Sequence, residues 1–231
     1  MIFLMHELRY INSMIKSSSE LLSKTVRGEK VDFDNLKSHA MTIFEQSSVL
    51  SSWLAIVDYH LDPKLFEKYI KSMVSLYRKF DKARLNFKRR AQNLGVGIHL
   101  IGQGEFSIEA YPIIDILPYL LIDNALKYSI KSGSIDVNFS SFERINVISV
   151  KAMGPFVESE ELKNIFTSGF RGKNAIKVSA LGNGMGLALV KKICEIHSAT
   201  ISATSSAQTI SFNNCPFSEF TITMRFPNLD A

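Results

Sequence analysis

The chain has 231 residues, of which 46% are hydrophobic and 21% are charged, and its formal net charge is +5. This composition excludes the disordered and collagen-like classes, and the length allows two modest domains with proper cores. Two cysteines without metal-ligand spacing exclude a disulfide framework and are typical of a reducing cytosol. No apolar run reaches the roughly 18 to 20 residues that span a bilayer, and the N-terminus lacks the flanks of a signal peptide. We therefore expect a soluble, cytoplasmic segment.

The N-terminal part of the chain is predicted to form a helical hairpin. Apolar or small residues recur at steps of three and four in two segments, which contain Leu4, Leu8, Ile11, Ile15 and Leu22, and then Leu36, Ala40, Ile43, Ser47, Leu50, Leu54, Val57 and Leu61. The polar stretch Arg27–Asp32 contains a glycine and ends in an aspartate that can start a helix, so it predicts the turn between them. Two helices cannot bury seams of this length alone. We therefore expect a homodimer in which two hairpins form a four-helix bundle.

His6 lies on the flank of the first apolar stripe, where an imidazole would be exposed. Exposure suits a nucleophile, although a single surface histidine is more often only a surface residue. The adjacent carboxylate, Glu7, is a candidate acid/base group that could take an imidazole proton. Its alternative interpretation is an ordinary solvated glutamate.

Basic residues are concentrated between Lys64 and Arg90. Their spacing indicates one solvated face of a helix. A nucleic-acid groove is the alternative, but aromatic residues are not interleaved in the pattern of single-strand binding. The sequence therefore predicts no nucleic-acid partner.

Strand and helix patterns are mixed in the rest of the chain, without a regular alternation. This favours an α+β fold with a mostly antiparallel or mixed sheet and helices on one face. The predicted strands are Val96–Ile101, Ile135–Phe139, Ile145–Val150, Thr200–Thr204 and Phe220–Phe226, and the predicted helices are Tyr69–Gln92, Ile113–Ser129 and Leu187–His197.

Asn124 and Lys127 lie one helical turn apart, so their side chains share a face. An amide oxygen is a good ligand for Mg²⁺, and a lysine one turn away can neutralise the phosphates that the metal bridges. The alternative is a polar pair on the surface of an amphipathic helix.

Three glycines, Gly182, Gly184 and Gly186, precede the last predicted helix. Without Cβ atoms the backbone can approach an anion closely, and the N–H groups of the following helix favour negative charge. A dinucleotide fold would need a strand directly before the glycines, whereas Arg171–Ala180 is polar and basic and is predicted to be a mobile loop. A purely structural turn is the alternative.

Taken in chain order, these features resemble the sequence boxes of sensor histidine kinases. The resembling segments are Met5–Arg9 for the H-box, Asn124–Ser129 for the N-box, Gly154–Pro155 for the G1 box, Gly169–Gly172 for the F-box and Gly182–Leu187 for the G2 box. The resemblance covers nearly the whole chain. It implies a dimerisation and histidine-phosphotransfer hairpin over residues 1–62 and an α/β-sandwich ATP-binding domain over residues 63–231.

The resemblance also implies a function, an ATP-dependent protein histidine kinase of a two-component system. His6 would be autophosphorylated with Glu7 as the acid/base residue, and the phosphoryl group would pass to an aspartate of a response-regulator receiver domain. ATP and Mg²⁺ are the expected cofactors, with Asn124 on the metal. The expected nucleotide-binding residues are Asn124, Lys127, Tyr128, Gly154, Phe170, Arg171, Gly182, Gly184, Gly186 and Leu187. A sensor or membrane region is expected upstream of His6.

Four departures from the family pattern modify these expectations. Ala152 stands where the G1 box usually has the aspartate that binds adenine, and Phe156 replaces the second glycine. Leu120 stands where many members have asparagine, so ATP hydrolysis by water should be slow. In the H-box, Tyr10 and Ile11 replace Thr-Pro, which predicts little phosphatase activity.

Two other functions remain open. The first is a phosphotransfer scaffold or pseudokinase with a degenerate nucleotide domain, which Ala152 and Phe156 favour. The second is a related ATPase or interaction module without phosphotransfer, and Leu120 argues against it because water activation would lack a side-chain base.

Overall fold

A computed structural model describes most of the chain, namely residues 2–27, 32–61, 70–102, 107–142, 144–179 and 184–227. Contacts divide the chain into two compact units, Met1–Ile70 and Lys71–Ala231. Within these ranges, none of the helices combines the length and hydropathy needed to cross a membrane.

The first unit is the predicted helical hairpin, formed by α1 (Ile2–Arg27) and α2 (Phe33–Leu61), which pack against each other. The second helix starts after Asp32, whose Oδ1 accepts hydrogen bonds from the backbone N–H groups of Asp34 and Asn35 at 3.1 Å each. A carboxylate acceptor at this position is what a helix start requires. Residues 28–31 of the predicted turn lie outside the described residues.

The hairpin leaves several large apolar side chains exposed. The exposed set is Leu21, Val26, Phe33, Phe44 and Leu54. Single exposed apolar residues are common on proteins, but five on one pair of helices indicate that the hairpin alone does not cover its apolar surface.

The second unit contains seven strands, five α-helices and a short 3₁₀ helix among its described residues. In chain order they are β1 (Ser72–Ser75), α3 (Leu76–Leu94), β2 (Gly97–Gly102), β3 (Ser107–Ala110), the 3₁₀ helix (Pro112–Ile116), α4 (Leu117–Tyr128), β4 (Ser134–Phe142), β5 (Ile145–Pro155), α5 (Ser159–Leu162), α6 (Lys173–Val178), α7 (Gly186–Ile196), β6 (Thr200–Phe212) and β7 (Cys215–Pro227).

Five of the strands form a mixed sheet in the order β2-β4-β5-β7-β6. Strand β2 runs parallel to β4, and the other neighbours are antiparallel. Helix α4 contacts both α3 and α7, and all three helices pack on the sheet. Alternate residues of β4, Ile135, Val137 and Phe139, are buried beneath this helical layer. The predicted α+β fold, with a mixed sheet and helices on one face, is confirmed.

The predicted helix Tyr69–Gln92 is wrong at its start. Residues Ser72–Ser75 form β1, which pairs with β3, and α3 begins at Leu76. The hydroxyl of Ser75 caps this helix by accepting from the N–H of Arg78 at 3.4 Å. Both paired strands have four residues, which is too short for a period-two pattern to be recognised.

The hairpin of β6 and β7 is much longer than the predicted strands Thr200–Thr204 and Phe220–Phe226. Each strand has 13 residues, and Asn213 and Asn214 connect them with φ angles of 50° and 58°. Two consecutive residues with positive φ are the signature of a type I′ turn, in which asparagine is favoured. The added parts of β6 are rich in serine and threonine and lack apolar alternation, so the sequence pattern did not indicate them.

His197 follows α7 and is 8% exposed. Its Nδ1–H donates to the carbonyl of Ile193 at 2.7 Å, and its Nε2 accepts from the N–H of Tyr111 at 3.0 Å. The bond from the Tyr111 N–H requires a neutral ring, because a protonated Nε2 could no longer accept. Burial lowers the pKa of His197 below the ordinary 6.5, and the nearby positive charge of Lys71 adds to this lowering.

This lowered pKa predicts that the second unit loses stability in acid. A histidine that must stay neutral in the fold stabilises it fully above pH 6.5 and less as the pH falls through and below that value. We expect the difference in unfolding free energy between the protein and His197→Gln to be larger at pH 7.5 than at pH 5.5 in urea denaturation. An equal difference at the two pH values would show that the ring does not titrate with unfolding.

Candidate nucleotide-binding site

Helix α4 carries three of the predicted site residues, Asn124, Lys127 and Tyr128. The helix begins with Pro118 in its first turn, where a missing N–H is tolerated, and ends at Tyr128 because Ser129 is extended. All three side chains are partly buried. The Lys127 Nζ lies 5.1 Å from the centre of the Tyr128 ring, which is a cation–π distance.

The chain bends at Gly184, directly before Met185 and α7. Gly184 has a φ of 73°, and a Cβ there would lie 2.4 Å from the carbonyl oxygen of Phe170. The N–H of Gly169 donates to the Gly184 carbonyl at 3.1 Å, so the bend is joined to the F-box segment. A glycine is therefore required at position 184. Gly182 lies outside the described residues.

The start of α7 has the features of an anion site. Met185, the residue before the helix, makes no side-chain cap, and a Cβ added at Gly186 would meet nothing within 4 Å. The first N–H groups of this 11-residue helix therefore have no side-chain cap from Met185, and the positive end of the helix dipole favours an anion there. Leu187 follows in the first turn and is partly buried. These residues fit a nucleotide's phosphates.

Helix α4, which carries Asn124, packs against α7 and also on β5. Gly154 lies near the end of β5 opposite Ser218 of β7. A Cβ at Gly154 would make only an ordinary contact with Phe220, at 3.8 Å. Packing among the residues that the structure describes therefore does not require glycine at position 154.

Ala152 faces an apolar environment. Its strand partners are Ile135 and Phe220, and no carboxylate stands at this position. Ser218, the strand partner of Gly154, is buried, and its Oγ lies 2.8 Å from the Oγ of Ser205, the strand partner of Phe220. Both serines lie in strands whose extent the sequence did not indicate, so they were missed as candidate polar groups.

The segment Arg171–Ala180 is not simply the loop that its polar sequence predicts. Residues Lys173–Val178 form α6, and the Arg171 guanidinium donates to the carbonyl of Ser179. The Nδ2 group of Asn174 donates to the Phe156 carbonyl at 2.9 Å. The prediction of a loop is wrong for α6 because hydrogen bonds to distant segments, rather than local apolar spacing, support this helix.

His6 and Glu7 lie in α1 of the first unit, and so does Tyr10. The side chains of these three residues are outside the part of the chain that the structure describes. Their roles therefore stay predictions.

Comparisons with known proteins agree with this fold. A family model described as histidine kinase-, DNA gyrase B- and HSP90-like ATPase matches residues 119–228. Sensor histidine kinase CusS of Escherichia coli O157:H7 is 25% identical over 205 residues, which cover 88% of this chain and 42% of CusS. The chain thus spans less than half the length of this relative.

Solved structures show the same fold. Acinetobacter baumannii histidine kinase AdeS superposes with a TM-score of 0.57 at 19% identity, covering 97% of this chain and 98% of that one. Histidine kinase ThkA, in a complex with response regulator protein TrrA, has a TM-score of 0.53 at 17% identity and covers 96% of this chain and 59% of that one.

Proposed function

We propose that this chain, which carries the catalytic core of a sensor histidine kinase, is an ATP-dependent protein histidine kinase of a two-component system. In this proposal the protein phosphorylates His6 and then passes the phosphoryl group to an aspartate of a response regulator. Glu7 is the adjacent acid/base residue. Since the relatives are matched over part of their length, this activity is our inference for the present chain.

The observation that carries the proposal is the backbone bend at Gly184, which packs against the Phe170 carbonyl just before α7. At the helix start, Met185 makes no side-chain cap, and a Cβ at Gly186 would meet no described residue within 4 Å. Phosphoryl transfer needs mainly positioning and charge neutralisation. A bend that presents backbone donors without side chains meets the first need.

In this proposal, side chains of α4 and of the F-box segment neutralise the charge of the phosphates. Asn124 would bind Mg²⁺ through its amide oxygen, and Lys127 would offer its ammonium to the phosphates. Arg171 and Phe170 belong to the segment joined to Gly184 by a hydrogen bond. When bound, Mg²⁺-ATP supplies the γ-phosphoryl group and the metal that offsets its developing charge.

The partners follow from the same comparison. The ThkA structure contains a response regulator protein, which supports a receiver domain as the phosphoryl acceptor here. The exposed apolar residues of α1 and α2 support a homodimer through the hairpin. A chain that uses ATP and a response regulator would act in the cytoplasm.

ATP binding with and without Mg²⁺, measured by calorimetry on the purified chain, tests the proposal. We expect binding that is tighter with Mg²⁺ and the appearance of an acid-labile phosphoryl group. Ala152 and its apolar neighbours favour the second candidate, a phosphotransfer scaffold. A chain that accepts phosphate on His6 from another kinase but does not bind ATP would establish that candidate.

Ala152 predicts weak discrimination between ATP and GTP. A missing hydrogen bond to a buried polar group costs on the order of 1 to 3 kcal/mol, which is about tenfold or more in affinity. Ala152→Asp should therefore raise the ratio of ATP to GTP affinity by about tenfold. Ala152→Ser, which adds a hydroxyl without a carboxylate, is the matched control with a smaller expected gain. An unchanged ratio in the aspartate variant would show that the base does not lie against position 152.

Tyr10 predicts a kinase with little phosphatase activity. In the resembling family, a small Thr or Asn one helical turn after the histidine aligns the water that attacks the regulator's phosphoryl group. The Tyr10 phenol is carried by a long rigid ring and is badly placed for that water. Tyr10→Thr should raise dephosphorylation of a cognate regulator about tenfold or more while autophosphorylation changes by a few fold at most. Robust phosphatase activity in the unmodified protein would contradict this explanation.

A further inference from the structure

Helix α6, Lys173–Val178, is held mainly by polar contacts. Its apolar residues Ile176 and Val178 are 53% and 37% exposed, whereas the polar Asn174 is 8% exposed. A helix of six residues is not stable alone in water. Neighbouring segments must therefore hold α6, and hydrogen bonds from its start and from Asn174 reach two of them.

Glu161 of α5 supplies the contact at the start of α6. Glu161 is 8% exposed, and its Oε1 accepts a hydrogen bond from the N–H of Lys173 at 2.8 Å. Its Oε2 accepts from the N–H of Glu158 at 3.3 Å. One carboxylate thus caps the first residue of α6 and closes the capping box of α5.

Gly172 makes this arrangement possible. It precedes α6 and has no side chain to cap the helix, so the acceptor must come from elsewhere in the chain. A Cβ at Gly172 would lie 3.5 Å from Oε2 of Glu161, so the carboxylate packs directly against the glycine. The contact spans 12 residues of sequence, which is why local patterns do not indicate it.

Asn174 supplies the second anchor. Its Nδ2 group donates to the carbonyl of Phe156, and the N–H of Phe156 donates to the carbonyl of Pro216 at 2.8 Å. The backbone of Phe156, a residue that departs from the family pattern, therefore connects α6 to β7. Together the two anchors fix both the position and the start of α6.

We propose that Glu161 is a positioning residue: by holding the N–H of Lys173 it keeps Arg171 where its guanidinium can exchange the Ser179 carbonyl for the phosphates of a bound nucleotide. Only Gly172 separates the held residue from Arg171, so fixing Lys173 limits where the arginine backbone can go. This inference rests on the proposed function, because Arg171 has phosphates to contact only if the chain binds ATP. Nucleotide affinity then depends on the fraction of molecules in which α6 is docked.

Hydrogen exchange and kinetics on the full chain test this role. Glu161→Ala should speed amide exchange across residues 171–179 about tenfold without nucleotide, because the N–H of Lys173 loses its acceptor at the start of α6. The KM for ATP in autophosphorylation should rise between about two- and tenfold while kcat stays within about twofold, since saturating ATP restores the docked state. Glu161→Gln keeps one acceptor oxygen and should give intermediate values.

Glu160→Ala is the matched control. The Glu160 side chain is on the same short helix, is 81% exposed and forms an ion pair with Lys163. We expect its exchange rates and KM to equal those of the unmodified protein. A similar effect in both variants would overturn the proposal.

Two results on Glu161→Ala would also overturn it, namely unchanged exchange over residues 171–179, or a fall in kcat with unchanged KM. If that variant does not fold, Asn174→Ala replaces it, because this substitution removes the Phe156 contact and leaves α5 intact. Normal exchange and an unchanged KM in Asn174→Ala would count against the proposal. Failure of the unmodified chain to bind ATP would instead refute the proposed function. The exchange experiment needs no nucleotide, so it still decides whether Glu161 holds α6.

Discussion

His6→Ala is expected to abolish acid-labile phosphorylation of the chain while leaving its ATP affinity unchanged. In the proposed reaction an imidazole nitrogen forms a bond to the γ-phosphorus as the bond to the ADP oxygen breaks, and alanine offers no nucleophile. His6 lies in the unit Met1–Ile70, whereas the candidate nucleotide site lies in Lys71–Ala231. Because the two units have separate cores, losing this imidazole should not disturb ATP binding.

The measurement is incorporation of labelled γ-phosphate, with acid treatment before detection, alongside calorimetric ATP binding. His39→Ala is the control, because His39 lies in the other helix of the same hairpin and has no assigned role. We expect full labelling in that variant. Undiminished labelling of His6→Ala would show that His6 is not the phosphorylated residue.

Periodic burial made much of the fold predictable. Steps of three and four along α1 and α2 predicted a hairpin, and alternation in β4 predicted a strand with Ile135, Val137 and Phe139 on one face. Both patterns arise because one side of each element is buried against a neighbour. Elements without such a pattern were missed. They include β1, β3 and the parts of β6 and β7 next to their connecting turn, whose pairing depends on partners elsewhere in the chain.

The candidate site was predictable where a residue type has a local backbone consequence. Gly184 is such a case, since its positive φ and its contact with Phe170 leave no room for a side chain. The hydrogen bonds of Glu161 and Asn174 were not predictable, because their acceptors and donors come together only in the folded chain. Their sequence neighbours give no signal that distinguishes them from solvated polar residues.

The hairpin carries the second large expected effect. Leu50 is partly buried and Leu54 is 48% exposed in the single chain, and both lie on the repeating seam of α2. If a second hairpin covers this seam, aspartate at both positions would place unpaired charges at the centre of the bundle. A charge buried without a partner costs several kcal/mol. Leu50→Asp with Leu54→Asp should therefore weaken the dimer by at least about a hundredfold.

Sedimentation velocity over a range of concentrations measures this shift from dimer to monomer. Ser38→Asp with Thr42→Asp is the matched control, because it adds the same charges with the same spacing on the same helix but off the seam. ATP binding should persist in both double variants, since the second unit has its own core. A Leu50 and Leu54 variant that sediments as an unchanged dimer would mean that another surface joins the subunits. If only that variant becomes monomeric, then the exposed leucine of α2 marks the seam between two copies of the hairpin.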